Sequence, residues 1–310
     1  MVEEKIYAKP STVEEAALIA LQNAGNFKFL AGGTDLIINK FQGNDTATCW
    51  IDLSGIEELK GVERKKKYLH IGALTTLEEL QSCQWVKDEF PIVLVAARAV
   101  ASPVIRKTAT LGGNLLCENR CAFYNQSAWW RQAVGYCLKC KGDVCIATGG
   151  DKNCFSKFSS DMAVALISLD ACVEVIDGKE GYVARLEELY TGDGVKPRKF
   201  SKTAILRSIL LPLDQEFRSV FKKLRQRESL EFSSLSTAVS VNKNNKLKMV
   251  AGSVDPRPIV MEGIPEEAHE LARKTIKKAR IVDNDVYSRP YRKEMMAVFL
   301  RNSLKELLID

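Results

Sequence analysis

The chain has 310 residues, 46% of them hydrophobic, which is enough for two or three packed units each burying its own core and excludes disorder as the default. Lys and Arg number 45 against 39 Asp and Glu, and the surplus of six is spread along the chain without a basic tail, which argues against nucleic-acid binding. The first twenty residues carry acids early and no continuous apolar stretch, so neither a signal peptide nor a membrane span is expected, and the sequence predicts a soluble, cytoplasmic protein.

In chain order, a strand is predicted near Tyr7, then a helix from Thr12 to Asn23 with Ser11 as N-cap, then a strand from Lys28 to Leu30. The glycine-rich turn Ala31-Gly32-Gly33-Thr34-Asp35 follows, and Leu36 to Phe41 is apolar at helical spacing. The basic run Arg64 to Lys67 lies between two apolar stretches and reads as a solvated hairpin tip. A second unit begins at Tyr68 to Ile71, continues through a helix at Thr76 to Leu80 and the apolar run Ile92 to Ala101, and is stopped by Ser102-Pro103. Between Leu115 and Ser160 the apolar periodicity fails, and ordinary patterning resumes at Met162 to Ile176. A structureless segment of that length inside a compact domain is expected to be functional or held by something. Gly, Pro and charge cluster in 192–202, the best place for a boundary. Strands are then predicted at Ala204 to Leu211, Phe217 to Leu224, Ser236 to Val241 and Leu247 to Val254, followed by helices at Pro265 to Lys278 and Tyr291 to Leu308.

Two turns have the character of a phosphate cradle. Glycine leaves backbone amides open to an anion, and a following helix points its positive end at it. Ala31 to Leu36 fits this description, with Thr34 adding a hydroxyl, and Thr110-Leu111-Gly112-Gly113-Asn114 is a second such turn. Neither matches the Rossmann fingerprint and no P-loop motif occurs, so nicotinamide and P-loop sites are disfavoured. Two such turns in one chain favour a shared pyrophosphate site over two unrelated bends.

Six of the nine cysteines fall in the irregular segment. In a reducing compartment clustered thiols hold metal more often than disulfides. Cys121, Cys137, Cys145 and Cys154 are separated by 15, 7 and 8 residues, too wide for a zinc ribbon and unlike a ferredoxin run, so spacing leaves both zinc and an iron-sulfur cluster open. Cys49, Cys83 and Cys172 sit in ordinary apolar patterns and are read as packing residues. Only two histidines occur, His70 and His269, with no Ser/His/Asp order and no HExxH, so no catalytic residue is assigned.

FLAGGTDL at 29–36, IRKTATLGGNL at 105–115, SDMAVALISLDA at 160–171, FKKLRQRESLEFSSLSTAV at 221–239 and GSVDPRPI at 252–259 resemble the FAD subunits of the xanthine dehydrogenase and carbon monoxide dehydrogenase family over nearly the whole chain. The resemblance implies an α+β fold: a vanillyl-alcohol-oxidase (PCMH) type FAD-binding domain of two subdomains, 1–60 and 61–200, the second carrying an insertion at 116–159. A C-terminal carbon monoxide dehydrogenase flavoprotein-like α/β domain, 201–310, follows. It further implies FAD as cofactor, its pyrophosphate on Phe29, Leu30, Ala31, Gly32, Gly33, Thr34, Asp35 and Leu36, with further contacts from Thr110, Leu111, Gly112, Gly113 and Asn114. Asp161 matches the family's cofactor-bonding acid, and Val100, Cys117 and Lys223, with Lys222 beside it, match other flavin-contacting positions. Where many relatives carry Asp, this chain has Glu231.

The segment RCAFYNQSAWWRQAVGYCLKCKGDVCIATGGDKNCFSKFSSDMA is similar to an insertion that most of the family lacks. In the member that has it, four cysteines bind a four-iron four-sulfur cluster, which implies Cys121, Cys137, Cys145 and Cys154 as ligands here and leaves Cys140 and Cys117 out. Trp129, Trp130 and Tyr124 are expected to be buried, shielding the cluster or anchoring the loop. Family membership also implies a molybdenum-cofactor large subunit and a small subunit with two two-iron clusters as partners, with substrate chemistry on the former. The cysteine insertion implies reductive removal of an aromatic hydroxyl, with reduced ferredoxin as electron donor. An oxidative molybdenum hydroxylase acting on an aldehyde, N-heterocycle or purine, and a zinc-stabilised binding module, are the competing readings.

Overall fold

The computed structural model describes residues 5–178 and 180–308 and organises them around three sheets. The first is parallel, with β1 (Ile6–Ala8), β2 (Phe27–Leu30) and β3 (Cys49–Asp52) in the order β1-β3-β2. Helix Leu36–Phe41 lies in the crossover between the parallel neighbours β2 and β3. Helix Val13–Gln22 carries the chain from β1 to β2, the two outer strands, burying Val13, Ala16 and Ala20 against Cys49 and Ile51. Its N-cap is Thr12, not the expected Ser11: the Thr12 hydroxyl accepts from the Glu15 amide at 3.1 Å. Ser11 instead donates its own amide to the Glu15 carboxylate at 2.8 Å, so the cap lies one residue later than the pattern of polar residues implied.

The second sheet is antiparallel, with β4 (Val62–Arg64), β5 (Tyr68–Gly72), β6 (Cys172–Asp177), β7 (Glu180–Arg185) and β8 (Ile205–Pro212) in the order β4-β5-β8-β6-β7. The basic run is the turn of the β4–β5 hairpin, closed by the Lys65 amide on the Tyr68 carbonyl at 3.0 Å. Ile205–Pro212 is a correction to the expected C-terminal grouping: it is the central strand here, seated between β5 and β6. Alternation along a strand reports which of its faces is buried, not which sheet it joins, so the glycine-rich stretch before it looked like the boundary. Helix Asp161–Ser168, every residue of which is buried, lies against helix Pro91–Ala99 on one side and the third sheet on the other. Being enclosed all round, it carries no polar stripe.

The third sheet is a meander of β9 (Phe217–Leu224), β10 (Leu235–Asn242), β11 (Leu247–Gly252) and β12 (Ile259–Gly263) in the order β12-β11-β10-β9. Helices Ala268–Lys278 and Arg289–Glu306 cover it, and Met296, Leu300 and Leu304 pack on Val239 and Met249. The irregular segment leaves helix Leu111–Leu115 and returns to Asp161. Its two ends are zipped by paired Arg120 and Lys157 backbone bonds of 2.9 and 2.7 Å. Lys157, buried, pairs with Asp285 and donates to the Ser233 carbonyl at 2.8 Å, so the segment is fastened to the C-terminal strands and helices as well. No helix among the described residues is long and apolar enough to cross a membrane.

Candidate functional site

A cavity of about 760 Å³ opens where the two diglycine turns meet, within the range of small-molecule sites. Gly33, at φ +72°, turns the chain from β2 into helix Leu36–Phe41. A Cβ on Gly32 would collide with the Thr108 carbonyl, so the first turn lies directly on the approach to the second. The second is pressed against Ala73 in the same way: the Gly112 amide donates to the Ala73 carbonyl at 2.8 Å, and a Cβ on Gly112 would stand 2.8 Å from the Ala73 methyl. Thr110 caps helix Leu111–Leu115 by accepting from the Gly113 amide at 3.1 Å.

Phe29, Ala31, Gly32, Gly33, Thr34, Asp35 and Leu36 line the cavity from the first turn, and Thr110, Gly112, Gly113 and Asn114 line it from the second. Leu30 and Leu111 do not. Leu111 is fully buried in the core. Val100, Cys117, Asp161 and Lys223 complete this set of cavity walls. Burial pushes the Cys117 thiol up to about 12, so it is a neutral wall group.

Lys223 and Asp161 form a buried ion pair of 2.6 Å, with side chains 4% and 5% exposed. Lys223 also donates to the Ala99 and Glu231 carbonyls at 2.8 and 2.9 Å, and Asp161 accepts from the Ser233 hydroxyl at 2.8 Å. Ser160 caps the helix, so Asp161 is its first-turn acid. Lys222, on the opposite face of β9, reaches Glu306 instead, which leaves Lys223 as the cavity lysine. The Glu231 carboxylate turns to Arg227 at 2.7 Å and only its backbone meets Lys223.

Cys121, Cys137, Cys145 and Cys154 all line one small cavity, together with Tyr124, Leu138 and Ser156. Cys140 is not in that wall; its thiol beside Cys137 holds the Cys137 thiol below its usual range. Burial pushes Cys121 up to about 11 and raises Cys154. Among the described residues no three His, Cys, Asp or Glu groups are set around a single ion. The space that the four cysteines enclose is small, about 10 Å³, and four thiolates suit either tetrahedral zinc or an iron-sulfur cluster.

The expected burial of the tryptophans is corrected: Trp129 is 75% exposed and Trp130 half-buried, and only Tyr124 is buried. Helix Ala128–Val134 turns Arg131 inward, where it donates to the Gln42 carbonyl at 2.9 Å, and two residues back along a helix is the opposite face. Sequence reasoning missed Glu118, Lys139 and Gly194. Glu118 and Lys139 line the large cavity, Lys139 and Tyr124 also line the small one, and a Cβ on Gly194 would stand 2.7 Å from the Cys154 sulfur. Asp35 joins the turn to the inserted segment by pairing with Arg120 and accepting from the Glu118 amide at 2.9 Å.

Residues 2–214 match the family model described as the FAD binding domain in molybdopterin dehydrogenase. The aldehyde oxidoreductase FAD-binding subunit PaoB of Escherichia coli (strain K12) is 31% identical over 279 residues, 86% of each chain. The nicotinate dehydrogenase FAD-subunit of Eubacterium barkeri is 25% identical over 235 residues, 75% of this chain and 67% of its own. In fold, the chain is similar to carbon monoxide dehydrogenase from Hydrogenophaga pseudoflava which lacks the Mo-pyranopterin moiety of the molybdenum cofactor, with a TM-score of 0.74 at 17% identity, covering 98% of this chain and 97% of that one.

Proposed function

The chain belongs to the family of FAD-binding subunits of molybdenum hydroxylases, and from that premise we propose that it holds two redox centres, FAD in the large cavity and a four-iron four-sulfur cluster on Cys121, Cys137, Cys145 and Cys154. The observation that carries this reading is the convergence of four cysteines, spread over 34 positions of irregular chain, on one cavity beside the one that the diglycine turns line. In the flavin cavity, the amides of Ala31–Leu36 would receive the diphosphate, whereas those of Leu111–Asn114 are already bonded to Ala73, Thr75 and Thr110, so the second turn would bound the cofactor as a wall. Asp161, Lys223, Val100 and Cys117 lie toward the rest of the cofactor. FAD supplies the exchange of single electrons with clusters and of electron pairs with other acceptors. The protein's part is to bind, orient and tune it. Of the expected limits, the one at 60 goes with this proposal, whereas the one at 200 moves past Pro212, because Ile205–Pro212 is a strand of the second sheet.

A subunit of this kind works with a molybdenum-cofactor large subunit and a small subunit with two two-iron clusters. We infer an enzyme that oxidises an aldehyde or an aromatic N-heterocycle, because the relatives above are named for such reactions. A second reading is favoured by the inserted cysteines: the segment resembles the beta subunit of 4-hydroxybenzoyl-CoA reductase, which implies reductive dehydroxylation to benzoyl-CoA driven by reduced ferredoxin. Assaying the complex for aldehyde oxidation against viologen-driven dehydroxylation separates the two.

The cofactor reading is tested by iron and flavin analysis of the purified chain with its visible spectrum. Cys137→Ser is expected to lower iron severalfold while flavin per chain stays at the wild-type value. A colourless zinc protein, or a Cys137→Ser protein with undiminished iron, would refute it.

A further inference from the structure

Two side chains, Tyr124 and Lys139, face both cavities. The Lys139 ammonium donates to the Asn119 carbonyl at 3.1 Å, pairs with Glu118 at 2.9 Å and stands 4.6 Å from the Tyr124 ring centroid. Its side chain is only 6% exposed, so its charge acts through little water. Glu118 lines the large cavity and not the small one. Against the push of burial, Lys139 and Arg198 hold its carboxyl down at about 2. A fixed cation beside a redox centre stabilises the added electron and raises the reduction potential; a fixed carboxylate does the reverse.

We propose that Glu118 and Lys139, braced on Tyr124 in the wall between the cavities, are positioning residues that set the potential difference between the chain's two redox centres. Lys139 raises both potentials, and Glu118 opposes it on the flavin side. The proposal rests on the two-centre reading given above. The segment that brings the cysteines together thereby also places the charge that aligns the cluster with the flavin.

The test is a dye-mediated redox titration of the intact complex, following flavin by absorbance and the reduced cluster by electron paramagnetic resonance. Lys139→Gln is expected to move both midpoints negative. Glu118→Gln is expected to move the flavin midpoint positive and the cluster midpoint less, and Lys139→Arg is expected to keep the wild-type values. A merely structural pair would move both midpoints the same way on loss of either partner, and that result, or unmoved midpoints, overturns the proposal. Should Lys139→Gln not fold, the sign of the Glu118→Gln shift decides alone. Wild-type protein with flavin and no iron overturns the two-centre reading and this one with it; both centres present with unmoved midpoints overturns this one only.

Discussion

Gly32→Ala is expected to strip the chain of its flavin while leaving most of its secondary structure in place. The added methyl meets the carbonyl oxygen and carbon of Thr108, with the Ala109 amide nitrogen at 3.2 Å. All three are backbone atoms, so no side-chain rotation makes room and the first turn must lift off the second. Overpacking of this kind costs about 1–3 kcal/mol. If the cost is borne in the bound geometry it lowers flavin affinity by roughly one to two powers of ten. Gly61→Ala is the comparison: Gly61 stands at positive φ, +80°, which Gly32 does not, and nothing lies within 4 Å of its Cβ, so it carries backbone strain without the collision. Flavin per chain after gel filtration, with circular dichroism on the same samples, checks the pair. Stoichiometric flavin in Gly32→Ala would mean that the two turns do not form one wall of the site.

Why that turn was legible in the sequence, and much else was not, follows from the range of the interactions involved. Gly32 and Gly112 are glycines because backbone passes within contact distance of them, and the diglycine pattern announces this without a fold. Ile205–Pro212 could not be assigned to its sheet, because its partners β5 and β6 lie more than a hundred and about thirty residues before it. The site divides in the same way. The four cysteines and the turn residues are recognisable by type, whereas Lys139 gains its meaning only when the inserted segment folds it back on Glu118, 21 positions earlier. Trp129 shows the converse error: large aromatic residues suggested burial, but the helix that Arg131 anchors turns its indole outward.

The largest effect on stability is expected at the buried pair beneath the flavin cavity. Lys223→Met removes the cation and leaves Asp161, 5% exposed, with the Ser233 hydroxyl as its remaining side-chain donor. Breaking a buried ion pair by deleting one partner costs about 3–5 kcal/mol, most of it the price of an uncompensated charge. The Glu231 carbonyl loses this donor as well, and the Ala99 carbonyl keeps only Arg225 at 3.2 Å, which loosens the junction between helix Pro91–Ala99 and the strand that carries Lys223. Lys222→Met is the built-in comparison, one residue away on the same strand and paired with the half-exposed Glu306; exposed pairs contribute about 0–1 kcal/mol. Asp161→Asn combined with Lys223→Met is expected to be more stable than Lys223→Met alone, because the amide needs no counter-charge. Denaturant unfolding of the single and double variants gives the coupling, expected at about 1–3 kcal/mol. A pair retained for stability alone would leave flavin content in the double variant unchanged. If Lys223 and Asp161 present their charge and hydrogen bonds to the cofactor, the double variant recovers stability without recovering flavin. Equal destabilisation by Lys222→Met and Lys223→Met would instead show that the cavity face of β9 carries no special electrostatic role.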